Sequence, residues 1–192
     1  STSRGLGDVY KRQHLFVIAG HGAGDPGAVG HGYTEAERVR ALAGRLKALG
    51  GSNVTVGDTS KDWYKSDLIT TLNIPKDWYI VELHMDGAVA SASGGHVIIK
   101  QGYSPDTYDN ALANFIGSFM PGRSNLIVGR NDLGNVNDAA RRGFNYRLLE
   151  CGFITNAHDI IKFNNHMDEL ARGILSAFGI SSALSGGWVK DA

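Results

Sequence analysis

Four side chains of this 192-residue sequence have the types that metal-assisted hydrolysis needs: His21, Glu35, His84 and Glu150. Two imidazoles and one carboxylate make a three-ligand zinc site whose fourth position is left for water. Zinc brings the pKa of that water to about 7, which makes hydroxide available to attack a carbonyl. A second carboxylate, outside the ligand set, then serves as general base and passes the proton to a leaving nitrogen. The single cysteine, Cys151, excludes an intrachain disulfide and a cysteine-rich zinc site. A metal here must therefore be held by histidine and carboxylate.

That chemistry requires elements that bring the four residues together. Residues 15–19 are an apolar run that enters a loop punctuated by Gly20, Gly22, Gly24, Gly27 and Gly30. Such a run reads as a strand buried on both faces, delivering its loop to the carboxyl edge of a sheet. Apolar runs and helical periods then alternate along the chain, which points to an α/β sheet. Residues 34–49 carry Val39, Leu42, Leu46 and Leu49 on one helical face, closed by Gly50-Gly51. Residues 53–56, 79–84, 96–100 and 147–153 are strands, 125–128 a weaker one, and 58–72 stays open between short helix and loop. Residues 109–120 and 166–178 have helical stripes, and 130–142 reads as loop plus a short helical turn. The expectation is a single domain with a twisted, mostly parallel sheet of about six strands flanked by about five helices, its active site at the carboxyl edge.

His21 follows the first strand, His84 ends another, and Glu150 lies within the last, so parallel strands would bring the three to one edge. Glu35 opens the first helix. Thr34 fits as N-cap with Glu37 reaching back to it, which leaves Glu35 free to face a cation. A carboxylate placed at the positive end of a helix explains Glu35 about equally well.

These residues carry a resemblance. Ala19-Gly20-His21-Gly22, followed by Asp25-Pro26-Gly27-Ala28, is similar to the GHGG-x-DPGA opening of the zinc-dependent N-acetylmuramoyl-L-alanine amidases of the amidase-3 type. Leu83-His84-Met85-Asp86 resembles their S-x-H-x-N segment, and residues 149–156 match their E-x-GF-x-(S/T)-N signature. Glu35, at the head of a helix between the first two, looks like their second ligand, and four such features in order over residues 15–180 make the match specific. The resemblance implies one zinc ion held by His21, Glu35 and His84, with Glu150 catalytic. It implies peptidoglycan as substrate, cut at the amide between N-acetylmuramic acid and L-alanine of the stem peptide. Two positions depart from the family pattern. Glu82 replaces a small polar residue and Asp86 the common asparagine; either acid could orient His84 from behind, which is the favoured role. Arg142 and Asn156 are further candidates for supporting the site or touching substrate.

Other features are read more plainly. Residues 22–27 fit G-x-G-x-x-G, but Pro26 delays any helix, so no dinucleotide site is expected. His31 could compete with His21 as a ligand but is expected in solvent, as are His14, His158 and His166; His96 could line the cleft, although a structural role is favoured. Cys151 should turn to the buried face opposite Glu150. Arg141, Arg142 and Arg147 could hold stem-peptide carboxylates, although solvated arginines are the commoner outcome. Trp63, Tyr64, Trp78 and Tyr103 could stack on sugar or simply pack.

Nineteen Lys and Arg balance nineteen Asp and Glu, so charge makes no case for nucleic acid or an anionic membrane. No apolar run approaches the roughly 18 residues that span a bilayer. Residues 1–13 have no apolar period and resemble a translated sequencing-adapter remnant. Residues 14–180 form the catalytic domain, and 181–187 have linker composition. Gly187-Trp188-Val189-Lys190-Asp191 resembles the start of a choline-binding-type repeat, hence a truncated wall-binding module. With no visible signal segment, the chain looks like part of a phage endolysin, made in the host cytoplasm and released at lysis onto the cell wall. A zinc peptidase cutting within the stem peptide and a non-catalytic wall-binding domain are the alternatives.

Overall fold

The computed structural model describes residues 13–182. The expected N-terminal remnant lies outside them apart from Gln13, and the expected linker and module start apart from Ser181 and Ser182. In chain order the elements are β1 (Leu15–Ala19), β2 (Val29–Gly30), β3 (Tyr33–Thr34), α1 (Glu35–Gly50), β4 (Val54–Val56), α2 (Leu68–Thr71) and β5 (Tyr79–Asp86). There follow β6 (His96–Lys100), α3 (Thr107–Phe119), β7 (Ile127–Arg130), α4 (Gly134–Arg141), β8 (Asn145–Phe153), α5 (Ala157–Asn165) and α6 (Met167–Ala177).

Six strands pair in the order β4-β1-β5-β8-β6-β7. Strands β4, β1, β5 and β8 are parallel, β6 runs antiparallel to β8, and β7 parallel to β6. This is the single α/β domain expected, with a mostly parallel sheet. It has six α-helices among the described residues, one more than expected. The additional helix is α5. Residues 58–72 hold only the short α2, and β2 and β3 form a small antiparallel ladder that the sequence did not announce.

The two faces of the sheet are covered unequally, and this decides where the site lies. One face presents Leu15, Val17, Val81, Leu83, Leu149 and Val97 to the large core shared with Val39, Leu42, Leu46, Ile116, Ile174 and Phe178. Each such aliphatic side chain stabilises the fold by roughly 1.5–3 kcal/mol when fully buried. Cys151 is buried on this face, as alternation required. So is Arg147, at 1% exposure, its guanidinium held by Asp109 at 2.9 Å and Asp106 at 3.3 Å. Arg147 is therefore neither solvated nor aimed at a substrate. The opposite face has thinner cover, in which Phe16, Ile18 and Ile80 meet Trp63, Ile69 and Phe144, and Ile98 and Leu148 meet Val136.

Two local expectations change. Thr34 caps α1 by accepting from Glu37 N at 3.3 Å, but the Glu37 carboxylate accepts from Arg38 Nη2 at 2.9 Å instead of returning to the cap. His14 is half-buried, stacked on Trp78 with ring centroids 3.6 Å apart and 2.8 Å from Thr55 Oγ1. Its place beside a packed indole, just before β1, takes it partly out of solvent. His31, His158 and His166 are exposed as expected.

Candidate active site

Strand register sets the frame. His84 on β5 pairs with Glu150 on β8, and Glu150 pairs with His96 on β6. Paired residues point to the same face, so the three side chains form one row across adjacent strands on the thinly covered face. Ala19 pairs with Leu83, which places Gly20 beside His84. A side chain could not stand there, since a Cβ on Gly20 would lie 2.4–2.8 Å from the His84 ring. The gap lets that imidazole lean over β1 towards His21.

Beyond Gly20 the chain turns in an unusual way. His21, Gly22, Ala23 and Gly24 have φ values of 58°, 98°, 50° and 94°, a continuous left-handed run. For a non-glycine residue this region costs of order 1 kcal/mol or more. The run is closed by paired backbone bonds between Gly22 and Asp25 at 2.8 and 3.0 Å. It is further fixed by Arg40 on α1, whose guanidinium donates to the carbonyls of Gly20, His21, Ala36, Thr59 and Lys61 at 2.8–3.2 Å.

Glu35 is the first residue of α1 and only 3% exposed. Its Oε2 lies 3.2 Å from His21 Nε2 and its Oε1 2.8 Å from His84 Nδ1. It also accepts from Ala28 N at 2.8 Å and Met85 N at 3.0 Å. Burial alone would raise its pKa, but the two imidazoles and the Ala28 N–H hold it down to about 2. One ligand atom from each of His21, Glu35 and His84 lies within 4.8 Å of the others. Two imidazole nitrogens and a carboxylate oxygen are the borderline donors zinc takes, and the three residues leave a further coordination position to substrate or water.

Each histidine is oriented from behind by a second carboxylate, as metal-binding imidazoles usually are. Asp25 Oδ2 lies 3.1 Å from His21 Nδ1, and Glu82 Oε1 2.8 Å from His84 Nε2. Glu82 is 3% exposed and accepts three other hydrogen bonds, two from Asn135 Nδ2 at 3.0 and 3.2 Å and one from Tyr146 Oη at 2.6 Å. Asp86, the other acid weighed for that role, makes no such contact with His84. A register shift after His84 turns it instead towards His96 Nδ1 at 3.8 Å and Arg123 at 3.9 Å.

Glu150 projects beside His84, and its Oε2 is buried without a hydrogen-bond partner. Burial, reinforced by the negative charges of Asp86 and Glu35, pushes its pKa up to about 8. A carboxyl that binds and releases a proton near neutrality suits acid–base transfer.

Other candidates stand apart from this centre. Arg142 donates to the carbonyls of Ile69, Thr70 and Leu72, closing the end of α2. Asn156 caps α5 by accepting from Asp159 N at 3.0 Å and donates to Ala90 O at 2.9 Å. Asn135, Tyr146 and Arg40 were not anticipated. Tyr146 had one legible sign, since it lies two and four residues before Leu148 and Glu150 on the same strand face. A groove of about 350 Å³ leads from His21 and His84 along Trp63, Tyr64, Leu133 and Asn135. Tyr64 stands 61% exposed on its wall, whereas Trp63 packs into the core.

Residues 15–179 match the family described as N-acetylmuramoyl-L-alanine amidase. The probable autolysin PH of Staphylococcus aureus (strain NCTC 8325 / PS 47) is 35% identical over 189 residues, covering 88% of this chain and 39% of its own. This chain thus spans well under half the length of that curated relative. Among solved structures, the catalytic domain of the CD27L endolysin targeting Clostridia Difficile superposes with a TM-score of 0.69 at 18% identity, covering 86% of this chain and 96% of its own. The CwlD amidase from Clostridioides difficile, solved with the GerS lipoprotein, gives a TM-score of 0.69 at 15% identity, covering 87% and 97%. At these identities the structural likeness shows the fold.

Proposed function

Because the chain belongs to the N-acetylmuramoyl-L-alanine amidase family, we propose that it cleaves the amide joining the lactyl group of N-acetylmuramic acid to L-alanine of the stem peptide. His21, Glu35 and His84 would hold one zinc ion, with Glu150 as the proton carrier. The observation that carries this reading is the convergence of three ligand atoms within 4.8 Å, with Glu150 on the strand position next to His84. Zinc, when bound, would supply Lewis-acid polarisation of the carbonyl and of water. Glu150 takes a proton from the attacking water and delivers it to the amide nitrogen. The carbon–nitrogen bond breaks, the water oxygen stays on the lactyl carbonyl carbon, and passage of the remaining water proton to the departing amine leaves a lactyl carboxylate and an L-alanine ammonium. Asp25 and Glu82 keep the two imidazoles turned towards Glu35 throughout.

The test is Glu150→Ala, expected to retain zinc and lose turnover on purified peptidoglycan; an active variant would refute the assignment. Mass spectrometry of the digest separates this reaction from peptidase activity, since the amidase alone frees whole stem peptides from intact glycan. Chelator-sensitive clearing of cell walls separates both from a wall-binding role. The same proposal places the activity in a phage endolysin. The likeness of residues 187–191 to the start of a wall-targeting repeat supports a wall-directed hydrolase, and a bacterial autolysin is the second reading, favoured by the name of the 35% identical relative.

A further inference from the structure

The row that carries His84 and Glu150 has a third member without an assigned role. His96 pairs directly with Glu150 on the far side from His84, and it is 4% exposed. Its Nδ1 is buried with no hydrogen-bond partner, and so is Glu150 Oε2. An unsatisfied buried polar group costs about 1–3 kcal/mol, and a valine or leucine would fill such a strand position without that cost. Two such atoms on directly opposed residues therefore need a reason other than packing.

We infer that His96 is a positioning residue for Glu150, an inference that rests on Glu150 being the proton carrier. Cβ atoms of opposed residues on antiparallel strands stand about 4.5–5.5 Å apart, so a side-chain rotation brings the imidazole to the carboxyl. Catalytic hydrogen bonds are often loose in the free enzyme and tighten when substrate is bound. Asp86 Oδ2 lies 3.8 Å from Nδ1 and 3.9 Å from Arg123, beyond hydrogen-bonding distance of either, so no hydrogen bond holds Nδ1 away from Glu150. Burial and the guanidinium groups of Arg123 and Arg130 lower the His96 pKa to about 4, so it meets Glu150 as a neutral imidazole. A neutral donor can hold one carboxyl oxygen still without removing the proton-carrying capacity of the other.

Three variants test this: His96→Phe, which fills the space with no polar atom; His96→Asn, whose amide sits near the place of Nδ1; and His96→Gln, whose amide reaches beyond it. Zinc content, melting temperature, kcat and KM on a purified muropeptide are measured, with Glu150→Gln in parallel. His96→Phe should keep its zinc and a KM close to wild type while kcat falls about 10- to 100-fold, the loss expected from a misplaced catalytic group. His96→Asn should recover part of that kcat and exceed His96→Gln. A folded, zinc-loaded His96→Phe with wild-type kcat would overturn the inference. If His96→Phe does not fold, equal kcat in His96→Asn and His96→Gln overturns it. Failure of the underlying function is seen separately, as an active Glu150→Gln.

Discussion

Glu82→Gln should weaken zinc binding about 10- to 100-fold, the usual effect of removing a carboxylate behind a metal-binding histidine. The structure shows why an isosteric change is costly here. Glu82 has both oxygens occupied, by His84 Nε2 at 2.8 Å, Asn135 Nδ2 at 3.0 and 3.2 Å, and Tyr146 Oη at 2.6 Å. Glutamine keeps one acceptor and replaces the other with a donor. If its oxygen faces His84, its NH2 faces the Asn135 NH2, and two donors oppose each other at a site 3% exposed. If it turns over, His84 loses its acceptor and is no longer fixed with Nδ1 towards Glu35. A 10- to 100-fold loss corresponds to about 1.4–2.7 kcal/mol, which overlaps the range of about 1.5–3 kcal/mol for a hydrogen bond to a charged group. Competition against a zinc-chelating dye at neutral pH measures it. Asp25→Asn is the comparison and should lose less, because the Asp25 side chain is 24% exposed and water can replace it. Wild-type zinc affinity in Glu82→Gln, with only the melting temperature reduced, would show that Glu82 braces the fold and does not orient His84.

Two further outcomes follow from close contacts and burial. Gly20→Ala would put a methyl 2.4–2.8 Å from the His84 ring, so it should lose zinc and activity together while the far-face core stays intact; a zinc-replete Gly20→Ala in a chelator titration contradicts this. His96 is held neutral in the folded protein, with its pKa lowered from 6.5 to about 4 by burial and by Arg123 and Arg130. Between these values the unfolded chain binds the proton that the folded one refuses, so wild type should lose stability relative to His96→Asn as pH falls from 6.5 to about 4. Parallel melting curves for the two proteins across that window would refute the burial argument.

What could be seen in the sequence follows from which forces act locally. Strand β1 and helices α1 and α3 stood out because an unbroken apolar run and a 3.6-residue stripe are each written in consecutive residues. Helix α5 did not. Its Asp159 is fully buried, accepting from Gly94 N at 2.8 Å and Phe153 N at 3.0 Å, while its Ile161 is 58% exposed. Both reverse the pattern a helix on a core should show. Helix α4 was reduced to a turn for the same reason, since Asn135 and Asp138 are buried there. The trio His21, Glu35 and His84 was legible through its motifs, whereas Asn135 reaches Glu82 across 53 residues with no local mark, and Tyr146 across 64 residues is marked only by sharing a strand face with Glu150. His96 looked like a core histidine because the pairing that sets it against Glu150 exists only once β6 has reversed direction beside β8.

The five carbonyls gathered by Arg40 bear on how the proposed zinc ion would come and go. Ordering a backbone residue costs about 1–2 kcal/mol, and the left-handed run at residues 21–24 adds strain. Helix α1 meets both costs during folding, through a side chain that needs no ion. Loading of the proposed zinc would then be a local exchange into a preset cradle, and stripping would leave the cradle standing. Protein inactivated by a chelating wash should regain its activity on simple addition of zinc, without a cycle of unfolding and refolding.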